Sequence, residues 1–129
     1  DVNSIRIGNR VNIQDNAVLH TTYQKTTIEV GDDVSIGHGV ILHGAQVSRG
    51  ALLGMGCTVM DNAKVGEGAI VAANALVLEN TVVEPACVYA GVPARFVKKV
   101  APELSRETNE RIARNYLFYS GWYKDGDAK

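Results

Sequence analysis

The sequence predicts a mainly β fold, a prism of short parallel strands over residues 1–100, followed by an α-helix and a tail over residues 101–129. Three observations lead to this prediction. Aliphatic residues recur at every sixth position, a small residue follows each of them four positions later, and glycine is frequent while phenylalanine and tryptophan are rare. No α-helix brings one face forward every six residues, because six is not a multiple of 3.6.

The repeat is unbroken in the middle of the chain. Its aliphatic members are Val47, Leu53, Val59, Val65, Val71, Val77 and Val83. Its small members are Ala51, Cys57, Ala63, Ala69, Ala75, Thr81 and Cys87. The earlier chain keeps the same step at Ile7, Ile13 and Leu19, and again at Val30, Ile36 and Leu42. Three such sides form one turn of a triangular prism, and turns stack at the ordinary strand spacing of about 4.8 Å. We expect the aliphatic side chains to fill the axis and the small ones to occupy the bends.

The repeat has two irregularities and a clear end. The step from Leu19 to Val30 is eleven residues, which indicates an insertion of five near residues 21–27. The step from Leu42 to Val47 is five, so one side is short there. The parallel strands of the prism are expected to end at residues 91–95, because proline cannot donate to a strand ladder.

A helix is expected after the repeat. Ser105 can cap it and Glu107 falls in its first turn. Its apolar stripe has helical spacing and consists of Ile112, Ala113, Tyr116, Leu117, Tyr119 and Tyr123. We expect this helix to lie along the prism or across a neighbouring subunit.

Composition excludes several classes of protein. Thirteen Lys and Arg against fourteen Asp and Glu provide no basic footprint for nucleic acid. No apolar run reaches the roughly 20 residues that a membrane helix needs, and no signal peptide opens the chain. Cys57 and Cys87 both fall in the small-residue position of the repeat, five sides apart and therefore on different faces. Their Cα atoms are then too far apart for a disulfide, so we expect two unpaired thiols in the core. Unpaired cysteines lead us to expect a reducing, cytoplasmic location.

All three histidines of the chain fall between positions 20 and 43. His20 and His43 each follow an inward aliphatic residue, so both should point outward, since side chains alternate along a strand. If the insertion is set aside, Leu19 and Leu42 are one full turn apart, which stacks His20 on His43. If the insertion is counted instead as one full extra side minus one residue, His20 is expected to stack on His38.

Two stacked imidazoles can chelate one ion, given Zn–N bonds of about 2.0–2.1 Å. His38 lies on another side or corner, so a second chain has to supply it, and three-fold packing gives three equal sites between subunits. The prediction is therefore a homotrimer with Zn²⁺ held by His20, His38 and His43. Three neutral imidazoles leave a fourth position open for water, whose pKa falls to about 7 on zinc. The alternative is a chance grouping of three surface histidines.

Polar residues near His20 are candidates for orienting that water. They are Asn12, Gln14 and Asp15, of which Gln14 should face outward as His20 does. For Asn12, Asp15 and Asn16 the competing interpretation is turn chemistry at the corners of the prism.

Three segments together resemble the γ-class carbonic anhydrase family. They are NIQDNAVLH over residues 12–20, IGHGVILHG over residues 36–44 and GVPAR over residues 91–95. The resemblance covers essentially the whole chain. The Gln-Asp-x4-His and His-x4-His spacings are specific to the family, whereas hexapeptide acyltransferases share the repeat and the ending.

The resemblance implies a left-handed parallel β-helix, a homotrimer, and zinc, iron or cobalt between subunits. It implies that His20 and His43 come from one chain and His38 from its neighbour, that Gln14 and Asp15 assist the solvent on the metal, and that Asn12 borders the active site. The implied reaction is hydration of carbon dioxide to bicarbonate. The family's active-site arginine would precede Asp1. The loop at residues 21–27 has none of the carboxylates that export protons in fast members, so the resemblance implies a slow or silent enzyme.

Two rival functions remain open at this point. The first is a hexapeptide-repeat acyltransferase that uses acyl-CoA, a class that employs one histidine as general base rather than three around a metal. The second is a non-catalytic, metal-binding trimeric scaffold.

Overall fold

The computed structural model describes residues 4–22 and 26–99. Within these two segments the chain forms fifteen strands in three sheets and contains no helix. Every third strand shares a sheet, so the chain winds as a left-handed parallel β-helix with three sides per coil, as predicted. No helix among the described residues has the length and apolarity required to cross a membrane.

The three sheets are the three faces of the prism. The first sheet contains β1 (Ile5–Ile7), β4 (Ile28–Val30), β7 (Gln46–Val47), β10 (Lys64–Val65) and β13 (Val82–Val83). The second contains β2 (Asn12–Ile13), β5 (Ser35–Ile36), β8 (Leu52–Leu53), β11 (Ile70–Val71), β14 (Cys87–Ala90) and β15 (Arg95–Lys99). The third contains β3 (Val18–His20), β6 (Ile41–His43), β9 (Thr58–Val59) and β12 (Leu76–Val77).

The strand register confirms both predicted irregularities. In the regular part, Val59 pairs with Val77, eighteen residues later. Leu19 pairs with Leu42, which is five residues more than one coil and matches the predicted insertion. Leu42 pairs with Val59, one residue less than one coil, which matches the short side.

The core is the predicted axis of aliphatic side chains. The axial residues that are at most 1% exposed are Ile36, Leu42, Leu53, Val59, Val65, Val71, Val77 and Val83. The small residues at the bends are buried as well, except for the half-buried Thr81, and they include both cysteines, which are unpaired. Burial raises the pKa of the Cys57 thiol to about 12, so this side chain is an inert core residue, as expected.

The first coil departs from this pattern. Ile7 and Ile13 are 46% and 41% exposed, although they occupy axial positions of the repeat. The reason is geometric, since no strand among the described residues packs below the first coil.

The last strand was not predicted from the sequence. The parallel coils end near residues 91–95 as expected, but the chain then reverses and β15 pairs antiparallel with β14. The rings of Tyr89 and Phe96 meet edge to face across this pair, with centroids 6.1 Å apart. The predicted C-terminal helix and its apolar stripe lie outside the described residues.

Several corners adopt left-handed backbone angles at asparagine, including Asn16, Asn62, Asn74 and Asn80 with φ between 62° and 65°. Asparagine tolerates this conformation better than most residues, because its short side chain bonds locally. The turn interpretation of Asn16 is therefore confirmed.

Candidate metal centre

Two imidazoles face each other at the end of the third sheet. His20 ends β3 and His43 ends β6, and the two residues are direct partners in the parallel register. His20 Nδ1 lies 2.9 Å from His43 Nε2, and the ring centroids are 4.8 Å apart. The predicted stacking of His20 on His43 is confirmed, and the alternative pairing with His38 does not occur.

The other nitrogen of His43 contacts a carboxylate. His43 Nδ1 lies 2.5 Å from Asp61 Oδ1, and the Thr22 hydroxyl donates to Asp61 Oδ2 at 2.7 Å. An ionised carboxylate can only accept hydrogen bonds, so Nδ1 of neutral His43 carries the proton. The lone pair of His43 is then on Nε2, the nitrogen that faces His20.

The pKa of Asp61 lies below its ordinary value. Burial disfavours the charged form, but the hydrogen bonds from Thr22 and His43 and the electrostatic interaction with the His43 and His20 rings outweigh that cost. Asp61 is therefore ionised at neutral pH, as a hydrogen-bond acceptor for His43 requires.

The space beside this contact depends on Gly44. Its φ of +59° lies in the left-handed region, and a Cβ at this position would meet the Thr26 hydroxyl and lie 2.6 Å from Asp61 Oδ1. Thr26 Oγ1 in turn accepts a hydrogen bond from the Thr22 amide at 2.8 Å, which closes the base of the inserted loop. Gly44 therefore permits the loop base and the carboxylate to approach the histidine pair.

The remaining predicted site residues lie away from the histidine pair, at or near the corner between the second and third sheets. His38 is in the corner that precedes β6, whereas His43 ends that strand, so the two lie on the order of 10–15 Å apart. Asp15 is stacked below this corner, because its carbonyl accepts from the Gly39 amide at 3.0 Å. Gln14 adjoins Asp15.

Asn12 and Gln14 share the outer face of the second sheet. The side-chain Nε2 of Gln14 donates to the side-chain Oδ1 of Asn12. Both are half-buried, while Asp15 is exposed. One protomer thus divides the six predicted site residues between two places. His20 and His43 share one corner. The other corner has His38, Gln14 and Asp15, with Asn12 beside Gln14.

The histidine pair fits a transition-metal ion. Two imidazole nitrogens on a tetrahedral Zn²⁺ are about 3.3 Å apart, close to the observed 2.9 Å. Imidazole is also a donor that suits zinc and iron. No group of three His, Cys, Asp or Glu side chains within residues 4–22 and 26–99 converges on one point, so the pair needs a further ligand from elsewhere.

Apolar side chains are exposed on the sheet face next to the pair. Val18 and Ile41, neighbours in register on the outer face of the third sheet, are 49% and 42% exposed, and Leu78 near the same face is 44% exposed. A groove of about 580 Å³ lies elsewhere, on the first sheet, and includes Arg6, Glu29 and Arg49 among its lining residues but none of the predicted site residues.

Asp61 was not predicted from the sequence as a residue of the site. Its position resembles an ordinary corner aspartate beside Asn62, and nothing local marks it as a partner of histidine. A signal does exist, because the coil is seventeen residues long at this point, so Asp61 comes directly after the position that stacks on His43.

The fold and the repeat define a hexapeptide-repeat protein. No protein-family model matches the sequence. The chain is 46% identical to a carbonic anhydrase of Geobacillus kaustophilus over 124 residues, which is 96% of this chain and 67% of the relative. It is 40% identical to the mitochondrial gamma carbonic anhydrase 2 of Arabidopsis thaliana, covering 91% of this chain but 44% of that protein. Among solved structures, a hexapeptide transferase family protein from Anaplasma phagocytophilum is 36% identical with a TM-score of 0.78, covering 92% of this chain and 69% of that one.

This chain belongs to the γ-class carbonic anhydrase family of hexapeptide-repeat proteins. It spans about two thirds of the Geobacillus relative and less than half of the Arabidopsis one. Gamma carbonic anhydrases are metalloenzymes, and homologues with this fold are oligomeric, so a metal cofactor and an assembly are both consistent with the site.

Proposed function

We propose that this protein is a homotrimeric, zinc-dependent γ-class carbonic anhydrase that interconverts carbon dioxide and bicarbonate. Each of three equal sites contains His20 and His43 of one subunit and His38 of the next. The observation that carries the proposal is the separation of the ligands. His20 and His43 face each other at one edge of the third sheet, while His38 lies at the other edge.

This arrangement suits a closed ring of three copies. A contact between one edge of a subunit and the opposite edge of its neighbour is heterologous, and it closes when the rotation is 120°. Every pair of imidazoles then meets the His38 of an adjacent copy. The exposed apolar side chains of Val18 and Ile41 on the same sheet support burial of this face in the assembly.

Each residue has a distinct role in the proposed site. The bound ion, which is Zn²⁺ or alternatively Fe²⁺ or Co²⁺, supplies the Lewis acidity that makes hydroxide available at neutral pH. His20, His43 and His38 hold the ion as neutral imidazoles. Gln14 and Asp15, which share a corner with His38, orient the solvent, and Asn12 holds the Gln14 amide. The cytoplasmic location expected from the two unpaired cysteines is part of the proposal.

Subunit complementation tests the shared site. The His38→Ala and His43→Ala variants are each expected to bind no zinc, because every site in either homotrimer lacks one ligand. In a mixed trimer of the two variants, one of the three sites joins an intact pair to an intact His38. Metal analysis of co-expressed, differentially tagged trimers should therefore recover about one zinc per trimer. Full metal content in the His38→Ala homotrimer would contradict the proposal.

Two further experiments distinguish the proposed enzyme from an acyltransferase and from a non-catalytic scaffold. Acetyl-CoA should leave the melting temperature of the metal-loaded trimer unchanged, whereas an acyltransferase would be stabilised by its cofactor. Stopped-flow measurement of carbon dioxide hydration then separates the enzyme from a metal-binding scaffold. Zinc at full occupancy without hydration above the uncatalysed rate would favour the scaffold.

A further inference from the structure

Asp61 uses both carboxylate oxygens at the edge of the histidine pair. Oδ1 accepts from His43 Nδ1 and Oδ2 accepts from the Thr22 hydroxyl. The side chain of Asp61 is 19% exposed and that of His43 is 34% exposed, so these hydrogen bonds are only partly open to competition from water. The carboxylate is therefore held from two sides before any metal is present.

This contact determines which nitrogen of His43 faces His20. With its proton on Nδ1, His43 directs the Nε2 lone pair at His20 Nδ1, 2.9 Å away. In the opposite tautomer Nε2 would carry the proton and could not ligate. A ring without a partner for Nδ1 samples both tautomers and can also rotate away, which costs affinity for the ion.

We propose that Asp61 is a positioning residue that keeps His43 in the Nδ1–H tautomer with its Nε2 aimed at the metal, and that Thr22 holds the Asp61 carboxylate in place. The metal-binding role of His43 rests on the proposed function, whereas its tautomer does not. Hydrogen bonds of this kind to ligating histidines typically change metal affinity 10–100-fold.

The link through Thr22 also joins the inserted loop to the site. The Thr22 amide donates to the Thr26 hydroxyl at 2.8 Å, and the Thr26 amide donates back to the Thr22 carbonyl at 3.2 Å. These two bonds close the loop base and fix Thr22 relative to Asp61. A Thr22→Val variant, which keeps the shape but loses the hydroxyl, should weaken zinc binding less than loss of the carboxylate does.

The first test measures the tautomer of His43 in the metal-free protein. Long-range ¹H–¹⁵N spectra of the full metal-free chain should assign Nδ1–H to His43, and Asp61→Ala should shift the population towards Nε2–H. His43 protonated on Nε2 in the unmodified protein, or an unchanged tautomer in Asp61→Ala, would overturn the role of Asp61.

The second test measures zinc affinity by competition with a chelator. Asp61→Ala should bind zinc 10–100-fold more weakly. Asp61→Asn keeps an oxygen that accepts from His43 and an amide that can bond Thr22, so it should retain most of the affinity. Glu79→Gln is the matched control, because Glu79 is exposed at the same corner one coil further on and should leave the affinity unchanged.

The outcomes of the two tests separate the two proposals. Equal affinity in Asp61→Ala and the unmodified protein, or equally weak affinity in Asp61→Asn and Asp61→Ala, overturns positioning by Asp61. An unmodified protein that binds no zinc overturns the proposed function, and the tautomer measurement still decides the role of Asp61.

Discussion

His20 and His43 are separated by 23 residues of sequence, yet facing nitrogens of their rings are 2.9 Å apart. The parallel register of β3 and β6 makes them direct neighbours. The prism therefore brings two of the three proposed metal ligands together by regular strand stacking alone, with the inserted loop placed outside the ladder. The third proposed ligand, His38, lies at the far corner, which is why assembly and metal binding are expected to depend on each other.

The outer face of the third sheet should be required for assembly. Ile41→Lys places a charge on this face, and burying it between subunits without a partner is unfavourable. We expect this variant to sediment as a monomer and to lose its zinc. Val82→Lys is the matched control, because Val82 is exposed at an outward strand position of the first sheet. A trimeric Ile41→Lys protein would show that another face forms the contact.

Gly44 should matter for the metal centre beyond its backbone conformation. Gly44→Ala and Gly50→Ala both place alanine at positive φ, +59° and +73°, which costs roughly 1–2 kcal/mol in each case. Only at Gly44 does the new Cβ meet Thr26 and Asp61, while at Gly50 the nearest atom is 3.9 Å away. We expect Gly44→Ala to lose more stability than Gly50→Ala, and about tenfold weaker zinc binding in Gly44→Ala alone. Equal zinc affinities would argue against this role.

The axis of the prism should dominate stability. Leu53 is fully buried, and Leu53→Ala is expected to lower the free energy of unfolding by about 2–5 kcal/mol because it leaves a cavity. Leu52 is its neighbour on the outer face and only half-buried, so Leu52→Ala should cost clearly less. Urea unfolding at one fixed protein concentration compares the two variants. A larger loss in Leu52→Ala would place that side chain in a subunit contact.

The ion pair of Asp33 should make stability depend on pH in the acid range. Arg10 donates to Asp33 from Nε at 2.7 Å and from Nη2 at 3.1 Å. The hydrogen bond from Arg10 lowers the pKa of Asp33, burial opposes this, and the charges of Arg10 and Arg49 add to the lowering. The stabilisation is thus complete above the ordinary pKa of about 3.9 and is lost as the pH falls through the lower folded value.

Asp33→Asn measures that contribution. At pH 7 the variant should be less stable by roughly 0.5–1 kcal/mol, because Arg10 is largely exposed. The difference should shrink towards zero as the pH approaches 2, and Arg10→Ala should behave in the same way. A deficit that is equally large at pH 7 and pH 2 would point to packing rather than charge.

The sequence by itself determined the prism. A six-residue period constrains the side length, the inward residues and the small residues at the bends, because every coil has to bury the same side of each short strand. It also revealed the insertion and the short side as breaks in the period. Strand β15 was not predicted, because it pairs antiparallel outside the repeat and its sequence has no periodic pattern.

Only the tertiary structure decided which histidine faces His20. Periodicity fixes the faces of regular coils, but the length of a loop that leaves a corner does not fix where the ladder resumes, so His38 and His43 were both open partners. The three-dimensional register selected His43. It also brought Asp61 and Thr22 together from positions 39 residues apart, a contact that depends on stacking of coils and not on any local pattern in the chain.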